Sequence, residues 1–283
     1  MNFYADYIRN KLDAVISSMC SQIEDFVKNP GHDFTRNRKM NFTSTMNFLL
    51  TMEGGSLNSE LHKYFNYDLN KITRSDFIKQ RNKLKPGTME HLFHKFHEQI
   101  ACNKKYQGYQ LLACDGSDLN IFRDPLNPHT YFAGKEGTFG FNQLHLNALY
   151  KEEFPPKKIK ELYHMRWGIE TSFRELKYTI GLTNLHSKNV EYICQEIYAK
   201  LILYNFCEII SANVVLEERN RKYTYQLNYT MAIQICRHYL RQTSVTIDVE
   251  GLIKKELSPQ RPDRHYQRRI IKKRWVSFSY RVG

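Results

Sequence analysis

The sequence has no long apolar run, since no hydrophobic segment of its 283 residues approaches the roughly 20 residues that a membrane-spanning helix requires. Its first residues, MNFYADYIRNKLDAV, are charged, follow a helical pattern and do not resemble a secretory signal. Both features argue against insertion into a membrane and against secretion. They predict a cytoplasmic protein with no membrane partner.

Cysteines are few, and they are not grouped as a metal site or a disulfide framework requires. The six cysteines are Cys20, Cys102, Cys114, Cys194, Cys207 and Cys236. Most of them lie in apolar helix or strand patterns, so we expect reduced thiols in the core of a cytosolic protein. The chain also has no Gly-rich phosphate loop and no tandem repeat, which argues against a P-loop nucleotide site and a repeat architecture.

Positive charge is in excess, with 42 Lys and Arg residues against 29 Asp and Glu and a formal net charge of +13. Such a charge attracts a phosphate backbone, although it would also suit an anionic membrane surface or serve solubility alone. Part of it lies in a basic tail, residues 261–283, whose only acid is Asp263. Its basic residues are Arg261, Arg264, Arg268, Arg269, Lys272, Lys273, Arg274 and Arg281. Such a run is usually a solvated tail, and in a chain that processes DNA it binds phosphates.

The stretch YHMRWGIETSFRELK combines four polar residues at helical spacing: Tyr163, Arg166, Glu170 and Lys177. At about 100° per residue, they fall within roughly 60° of one another on a helix. A carboxylate between fixed cations suits an anionic substrate with a metal, because the acid binds the metal and the cations bind phosphates. The alternative is a solvated helix face with opposite charges four residues apart.

The helix that carries these residues is predicted over residues 157–180. Pro155 and Pro156 fit its first turn, where a missing N–H costs nothing, and Gly181 can end it. An apolar stripe beside the polar one consists of Ile159, Leu162, Ile169, Phe173, Leu176 and Ile180. Glu170 is therefore expected at the edge of a core, where an ordered element can hold a functional carboxylate rigid.

The order Tyr, two residues, Arg, three residues, Glu, six residues, Lys resembles the signature of bacterial insertion-sequence transposases of the DDE type. The resemblance continues through GLTNLHSKNVEYICQEIYAKLILYNFCEII (181–210) and includes LLACDGSDLNI (111–121) and FNQLHLNALY (141–150). It implies an α/β (α+β) protein with a ribonuclease-H-like catalytic core and a helical N-terminal domain. It also implies cut-and-paste transposition, in which transposon ends in double-stranded DNA are cleaved and joined with Mg²⁺, or Mn²⁺ as a substitute. The sequence leaves open whether a dimer forms on DNA.

We expect three regions: a helical DNA-binding domain over 1–106, the catalytic core over 107–260 and the basic tail over 261–283. In the first region, a helical period includes Phe3, Tyr7, Leu12, Val15, Ile16, Met19, Ile23 and Phe26 and stops at Asn29-Pro30-Gly31. A second helix is expected over about 42–52. In the core, helices are expected over Val190 to Ile210 and over Thr224 to Leu240, the latter with a break near Asn228.

A pair of helices in the first region suits a helix-turn-helix reader of a transposon end. Thr73 with Asp76 forms a capping box for a helix through Leu84, and a short helix over 57–65 precedes it. Its basic residues are Arg74, Lys79, Arg81 and Lys83. The alternative is that the two helices only pack together, as most helical pairs do.

The catalytic core is predicted to begin with a strand, Tyr109 to Cys114, that ends at Asp115. An Asp at the end of a buried strand suits a metal ligand at a sheet edge, and it also suits an ordinary Asx turn, which is commoner for an isolated Asp-Gly. A return strand would start near Asp118, and the alternation from Gln143 to Tyr150 predicts a half-buried strand.

The resemblance implies that Asp115 is the first catalytic Asp and Glu170 the last acid, and that both bind the metal. It implies that Tyr163, Arg166 and Lys177 contact the DNA phosphates.

The chain departs from the family in the middle of the core. The family has a second catalytic Asp on a later strand, but only Asp118 and Asp124 lie between Asp115 and Glu170, and both follow Asp115 too soon. The resemblance thus implies a large internal deletion near residues 150–156. Because two-metal chemistry depends on bridging carboxylates, we expect weak metal binding and defective catalysis. The alternatives are a non-catalytic DNA-binding competitor of intact transposase and an unstable pseudogene product.

Overall fold

The structure, a computed structural model, describes residues 3–36, 38–100, 117–121, 125–126, 128, 131–133, 141–146, 174–216, 225–241 and 247–259. The chain divides into two compact units. The helical unit contains the described residues up to 100 and those from 185 onward. The sheet unit contains the described residues from 117 to 184.

The N-terminal part of the helical unit consists of successive helices with well-defined starts. They are α1 Phe3–Ser21, α2 Phe42–Thr51, α3 Leu57–Tyr64, α4 Arg74–Arg81 and α5 Thr88–Gln99. The side chain of Asn41 caps α2 and that of Ser56 caps α3, each by accepting a backbone N–H three residues later. Thr73 and Asp76 form the predicted capping box at the start of α4. The helices predicted near 42–52 and 57–65 are confirmed.

Two helix ends differ from the sequence pattern. Helix α1 stops at Ser21 and is followed by a 3₁₀ turn, so it ends before the predicted stop at Asn29-Pro30-Gly31. Helix α4 ends at Arg81 rather than Leu84, because Leu84 pairs with Val27 in an isolated β-bridge. Long-range pairing with the chain after α1 thus replaces the last turn that local propensity favours.

The face that α1 buries is also shifted from the predicted one. Phe3 is 77% exposed and Tyr7 is 51% exposed, whereas Ala5 and Ile8 are fully buried. Leu12, Val15, Ile16 and Met19 lie in the core as predicted. The first turn of α1 therefore presents its aromatic rings outward and its smaller side chains inward.

The C-terminal part of the helical unit contains α6 Val190–Asn213, α7 Tyr229–Arg241 and α8 Val249–Lys255. The prediction for 190–210 is confirmed, with Asn189 capping the start of α6. The helix predicted over Thr224 to Leu240 starts only at Tyr229, because β4 Tyr225–Leu227 pairs antiparallel with β5 Leu257–Pro259. Asn228, near which a break in this helix was predicted, instead precedes its first residue, and its side chain accepts the N–H of Met231 at 3.3 Å.

Helix α6 lies at the centre of the helical unit and packs against α1, α2, α5 and α7. Its buried residues include Ile202, Leu203, Phe206 and Ile210, each fully buried. The N-terminal helices therefore share one hydrophobic core with helices from the other end of the chain. The division into domains at residues 106 and 260 stays a prediction.

The described sheet is small and antiparallel. Its strands are β1 Ser117–Ile121, β2 Tyr131–Phe132 and β3 Phe141–Leu146, in the order β1-β3-β2. Ser117 lies opposite Leu146 and Ile121 opposite Asn142. The return strand near Asp118 and a strand near 143–150 are thus confirmed, although β3 starts earlier and residues 147–150 lie outside the described residues. The strand predicted at 109–114 also lies outside them.

Helices and a small sheet in one chain are compatible with the α+β class. No helix in the described ranges is both long enough and apolar enough to cross a lipid bilayer.

Candidate functional site

Lys177 is the one predicted site residue that lies in the described part of the chain. It belongs to a π-helical segment, Glu175–Ile180, and its side chain is half-buried. The segment ends at Gly181, which adopts φ +86°, as the sequence predicts for a helix end. The backbone carbonyl of Lys177 accepts the Thr183 hydroxyl at 3.1 Å. The end of the signature helix is therefore fixed by a left-handed glycine and by the turn that follows it.

The π-helical segment changes the geometry that the sequence pattern assumed. A π-helix bonds residues five apart and so turns less per residue than an α-helix. The angular position of Lys177 on the polar stripe consequently differs from the value for a regular α-helix. The apolar stripe is confirmed at Leu176, which is 6% exposed, and at Ile180, which is 1% exposed. Single π-helical turns are frequent at functional sites.

The other predicted site residues, Asp115, Tyr163, Arg166 and Glu170, lie outside the described residues, as does the basic tail 261–283. Lys177 carries an ammonium, which is not a metal ligand. Within the described ranges, no cluster of three or more His, Cys, Asp or Glu side chains could hold a metal ion. Only the sequence therefore supports a metal at the predicted site, through Asp115 and Glu170.

Arg81 has a different role from the DNA contact that the sequence suggested. It is 2% exposed and lies against α6. Its Nε donates to Gln195 Oε1 at 2.8 Å, and its Nη1 donates to Glu196 Oε1 at 2.8 Å. Its guanidinium also lies 4.5 Å from the centre of the Tyr192 ring. Of the basic residues on the helix offered as a DNA reader, Arg81 is not available to DNA, because α6 covers it with a carboxylate, an amide and an aromatic ring.

The other basic residues of this segment have different surroundings. Arg74 and Lys79 are exposed on α4, and Lys83 is half-buried just after it. The predicted basic face therefore lacks Arg81, whereas Arg74, Lys79 and part of Lys83 remain at the surface.

Glu196 is the centre of a buried ionic cluster in the helical unit. Its Oε2 accepts the backbone N–H of His186 at 2.9 Å and lies 3.1 Å from His186 Nδ1. Burial alone would raise the pKa of Glu196, but the charge of Arg81 and the hydrogen bond from His186 outweigh it and lower the pKa to about 2. Burial lowers the pKa of neighbouring Lys200 to about 8, although Glu196 opposes this shift. The cluster joins α4 to α6.

A second ionic contact ties the end of α2 to α7. Arg241 Nη2 lies 2.9 Å from Glu53 Oε1, and Lys63 Nζ lies 2.7 Å from Glu53 Oε2. Burial would raise the pKa of Glu53, but the hydrogen bonds from Lys63 and Arg241 lower it to about 2. Both ionic contacts are thus part of the scaffold.

The cysteines follow the prediction only in part. Cys207 and Cys236 are buried free thiols, as expected, whereas Cys20 and Cys194 are free and exposed. Cys20 lies on α1 and Cys194 on α6, so the position of a cysteine within an apolar helix pattern did not show that its side chain is exposed. Cys102 and Cys114 lie outside the described residues.

Residues 66–206 match the protein family described as Transposase DDE domain. This match supports a DDE-type transposase. It spans just under half of the 283 residues and contains all five predicted site residues. It also includes α4 and both partners of the Arg81–Glu196 pair. Comparison with curated proteins and with solved structures gives no match.

The family match carries general consequences for substrate and cofactor. A DDE transposase acts on DNA, and enzymes of this family generally use divalent metal ions. The DDE domain also suggests a ribonuclease-H-like fold for the core, and the three described antiparallel strands are compatible with it.

Proposed function

We propose that this chain is a transposase of a bacterial insertion sequence that binds transposon ends and has lost much of its catalytic capacity. The proposal rests on two features that coincide along the chain, the family match and the spaced polar residues of the signature. The matched range 66–206 contains the spaced set Tyr163, Arg166, Glu170 and Lys177. Its ancestral reaction is cleavage of transposon ends and strand transfer into target DNA.

Each proposed site residue has a distinct chemical role. Asp115 and Glu170 would hold Mg²⁺, or Mn²⁺ in its place, because carboxylates are the ligands these ions prefer. A bound divalent ion supplies Lewis-acid activation of the attacking and leaving oxygens. Arg166 would bind a phosphate through two parallel N–H groups, and Lys177 would act as a point charge. Tyr163 would position the same phosphates through its hydroxyl.

The proposed defect comes from the acid that the sequence lacks. With no second Asp on a later strand, two ions would lose a bridging carboxylate, so both the net charge of the site and the spacing of the ions change. Loss of one catalytic group typically costs on the order of 10³-fold in rate. We therefore propose weak metal binding and no strand cleavage above background.

A cleavage assay tests the defect directly. The chain is incubated with a duplex that carries the terminal inverted repeat of its element, with Mg²⁺ or with Mn²⁺, and nicked and joined products are separated on a gel. We expect no product above background, and no difference between the native chain and its Asp115→Ala and Glu170→Ala variants. Products that both variants abolish would refute the defect and would indicate that another acid, such as Asp118, completes the site.

The missing acid and the net charge of +13 favour a second candidate, a non-catalytic protein that occupies transposon ends and competes with intact transposase. In this case the chain inhibits strand transfer by an intact transposase of the same element, in proportion to its occupancy of the ends. An unstable pseudogene product would instead show neither cooperative unfolding nor inhibition. In both functional cases we propose a cytoplasmic, nucleoid-associated protein.

A further inference from the structure

A cavity of about 180 Å³ lies in the helical unit between the loop after Gly31 and the end of α4. The sequence pattern gave no indication of it. Its wall includes His32, Phe34, Arg36, Arg38, Gln80 and Lys83. Lys83 was expected to contact DNA as part of a helix face, but the structure places it in a concave wall with two arginines from a loop.

The cavity is cationic. Arg36 and Arg38 are exposed and Lys83 is half-buried, and no carboxylate lines the cavity in the described part of the chain. The nearest acid along the loop, Asp33, is 8% exposed and accepts hydrogen bonds from Asn29. The Asp76 carboxylate accepts the Thr73 hydroxyl at 2.7 Å and is also close enough to Arg38 for the two charges to interact, so it offsets part of the cavity's positive charge. Like charges in a concave wall focus a positive potential, which selects an anionic ligand.

The Phe34 ring stands beside these charges in a strained conformation. Its φ of +58° is rare for a bulky residue, and such strain persists only where the surroundings impose it, often at ligand sites. The Lys83 ammonium lies 5.1 Å from the centre of this ring, and the Phe42 ring meets it edge-on at 5.8 Å. These contacts hold both the ring and the cation at the cavity wall.

The loop that carries the arginines is anchored at several points. The Thr35 hydroxyl donates to the His32 carbonyl at 3.1 Å, and Lys39 Nζ donates to the Asn70 carbonyl. Met40, which closes the loop, is 2% exposed. These contacts fix the chain on either side of the arginines, so the residues that make them lose little conformational freedom when a ligand binds.

The floor of the cavity is polar. Gln80 is 5% exposed, and its Oε1 has no hydrogen-bond partner within the described residues. Buried amide oxygens normally accept a hydrogen bond, so Gln80 Oε1 calls for a donor such as a water molecule or a base N–H beside the phosphate, and not for the phosphate itself.

We propose that this cavity binds a phosphate group of a DNA strand, with Arg36, Arg38 and Lys83 as its ligands and Phe34 packing against the adjoining nucleotide. The contact would position the duplex on the helical unit without reading its sequence, as phosphate contacts do. This inference rests on the proposed DNA-binding function and gives that function a second site, distinct from Tyr163, Arg166 and Lys177.

Charge-matched variants of the full chain test the proposal. Arg36→Ala with Arg38→Ala removes two charges from the cavity, and Lys254→Ala with Lys255→Ala removes two from exposed residues of α8 that do not line it. Binding to a short duplex is measured by fluorescence anisotropy over a range of salt concentrations. We expect the cavity variant to bind on the order of tenfold more weakly, with a salt slope smaller by about one for each phosphate that the variant no longer neutralises. The α8 variant should keep most of the affinity.

Three outcomes would count against the proposal in different ways. Equal losses of affinity in both variants, or an unchanged affinity in the cavity variant, would refute the cavity as a DNA site and leave DNA binding intact. A native chain that binds no DNA would instead refute the proposed function. Tight binding of inorganic phosphate or a mononucleotide, abolished in the cavity variant while duplex binding is unchanged, would assign the cavity to a free phosphate ligand. Lys83→Gln, with folding checked by circular dichroism, gives an independent variant that should also weaken duplex binding.

Discussion

Arg81 and Glu196 form a buried ion pair, in which Nη1 of the arginine lies 2.8 Å from Oε1 of the glutamate. The two side chains are 3% and 1% exposed. The pair connects α4 with α6 across more than 100 residues of sequence. The guanidinium of Arg81 also donates from Nε to the Gln195 side-chain oxygen and from Nη2 to the Tyr192 backbone carbonyl. Because Arg81 is buried in this pair, it stabilises the fold, although the sequence placed it among candidate DNA contacts.

Replacement of Arg81 by Ala should lower the free energy of unfolding by about 3–5 kcal/mol, because it leaves the Glu196 carboxylate buried without its cation. Chemical denaturation of the full chain measures this change. Lys79→Ala on the same helix serves as the control and should change stability by less than about 0.5 kcal/mol, since Lys79 is exposed. If Arg81→Ala kept its stability but bound DNA more weakly, Arg81 would be a DNA contact after all.

The stability of the helical unit should fall steeply in acid. The pKa of Glu196 is about 2 in the folded chain and 4.5 in the reference state, so the folded state binds fewer protons in this interval. The stabilisation is therefore complete above pH 4.5 and is lost as the pH falls towards 2. Glu53, whose folded pKa is also about 2, adds to the same loss.

Unfolding curves between pH 2 and pH 7 test this dependence. Glu196→Gln removes the titrating group, so its stability should be lower at pH 7 and should change less between pH 4.5 and pH 2. An equally steep acid loss in Glu196→Gln would show that other carboxylates cause it.

The N-terminal helices should be less stable alone than in the full chain. Helices α1, α2 and α5 bury their apolar faces against α6, which a fragment of residues 1–106 lacks. Loss of that partner exposes core side chains, and each exposed large apolar side chain costs about 1.5–3 kcal/mol. Denaturation of the fragment, followed by circular dichroism, should show a lower midpoint than the full chain. A fragment with the same midpoint and cooperativity would instead support an independent domain over 1–106.

Removal of the basic tail should weaken DNA binding and flatten its salt dependence. Residues 261–283 carry eight Lys and Arg residues and one Asp. Each phosphate that they neutralise adds about 0.9 to the steepness with which the logarithm of the affinity falls with the logarithm of the salt concentration. A chain ending at residue 260 is compared with a full-length chain whose tail has the same residues in scrambled order. We expect the scrambled tail to bind like the native one. If the truncated chain also binds like the native one, the tail has no role in DNA binding.

Local signals in the sequence predicted much of the helical framework correctly. The capping box of Thr73 with Asp76, the helix end at Gly181 and the long helix from Val190 each depend on residues only a few positions apart. Such features are set by backbone hydrogen bonding and allowed dihedral angles, which act over one helical turn. The spaced residues from Tyr163 to Lys177 likewise suggested a DDE transposase, in agreement with the family match over 66–206.

Tertiary structure alone decided which charged side chains face solvent. Arg81 and Lys83 lie in one basic segment, yet one is buried against Glu196 and the other lines a cationic cavity with Arg36 and Arg38. Periodicity cannot separate these outcomes, because burial depends on which distant element packs there and on whether it brings an opposite charge. The sequence by itself therefore determined which charged side chains the segment carries. Long-range packing determined which of these side chains a ligand can reach.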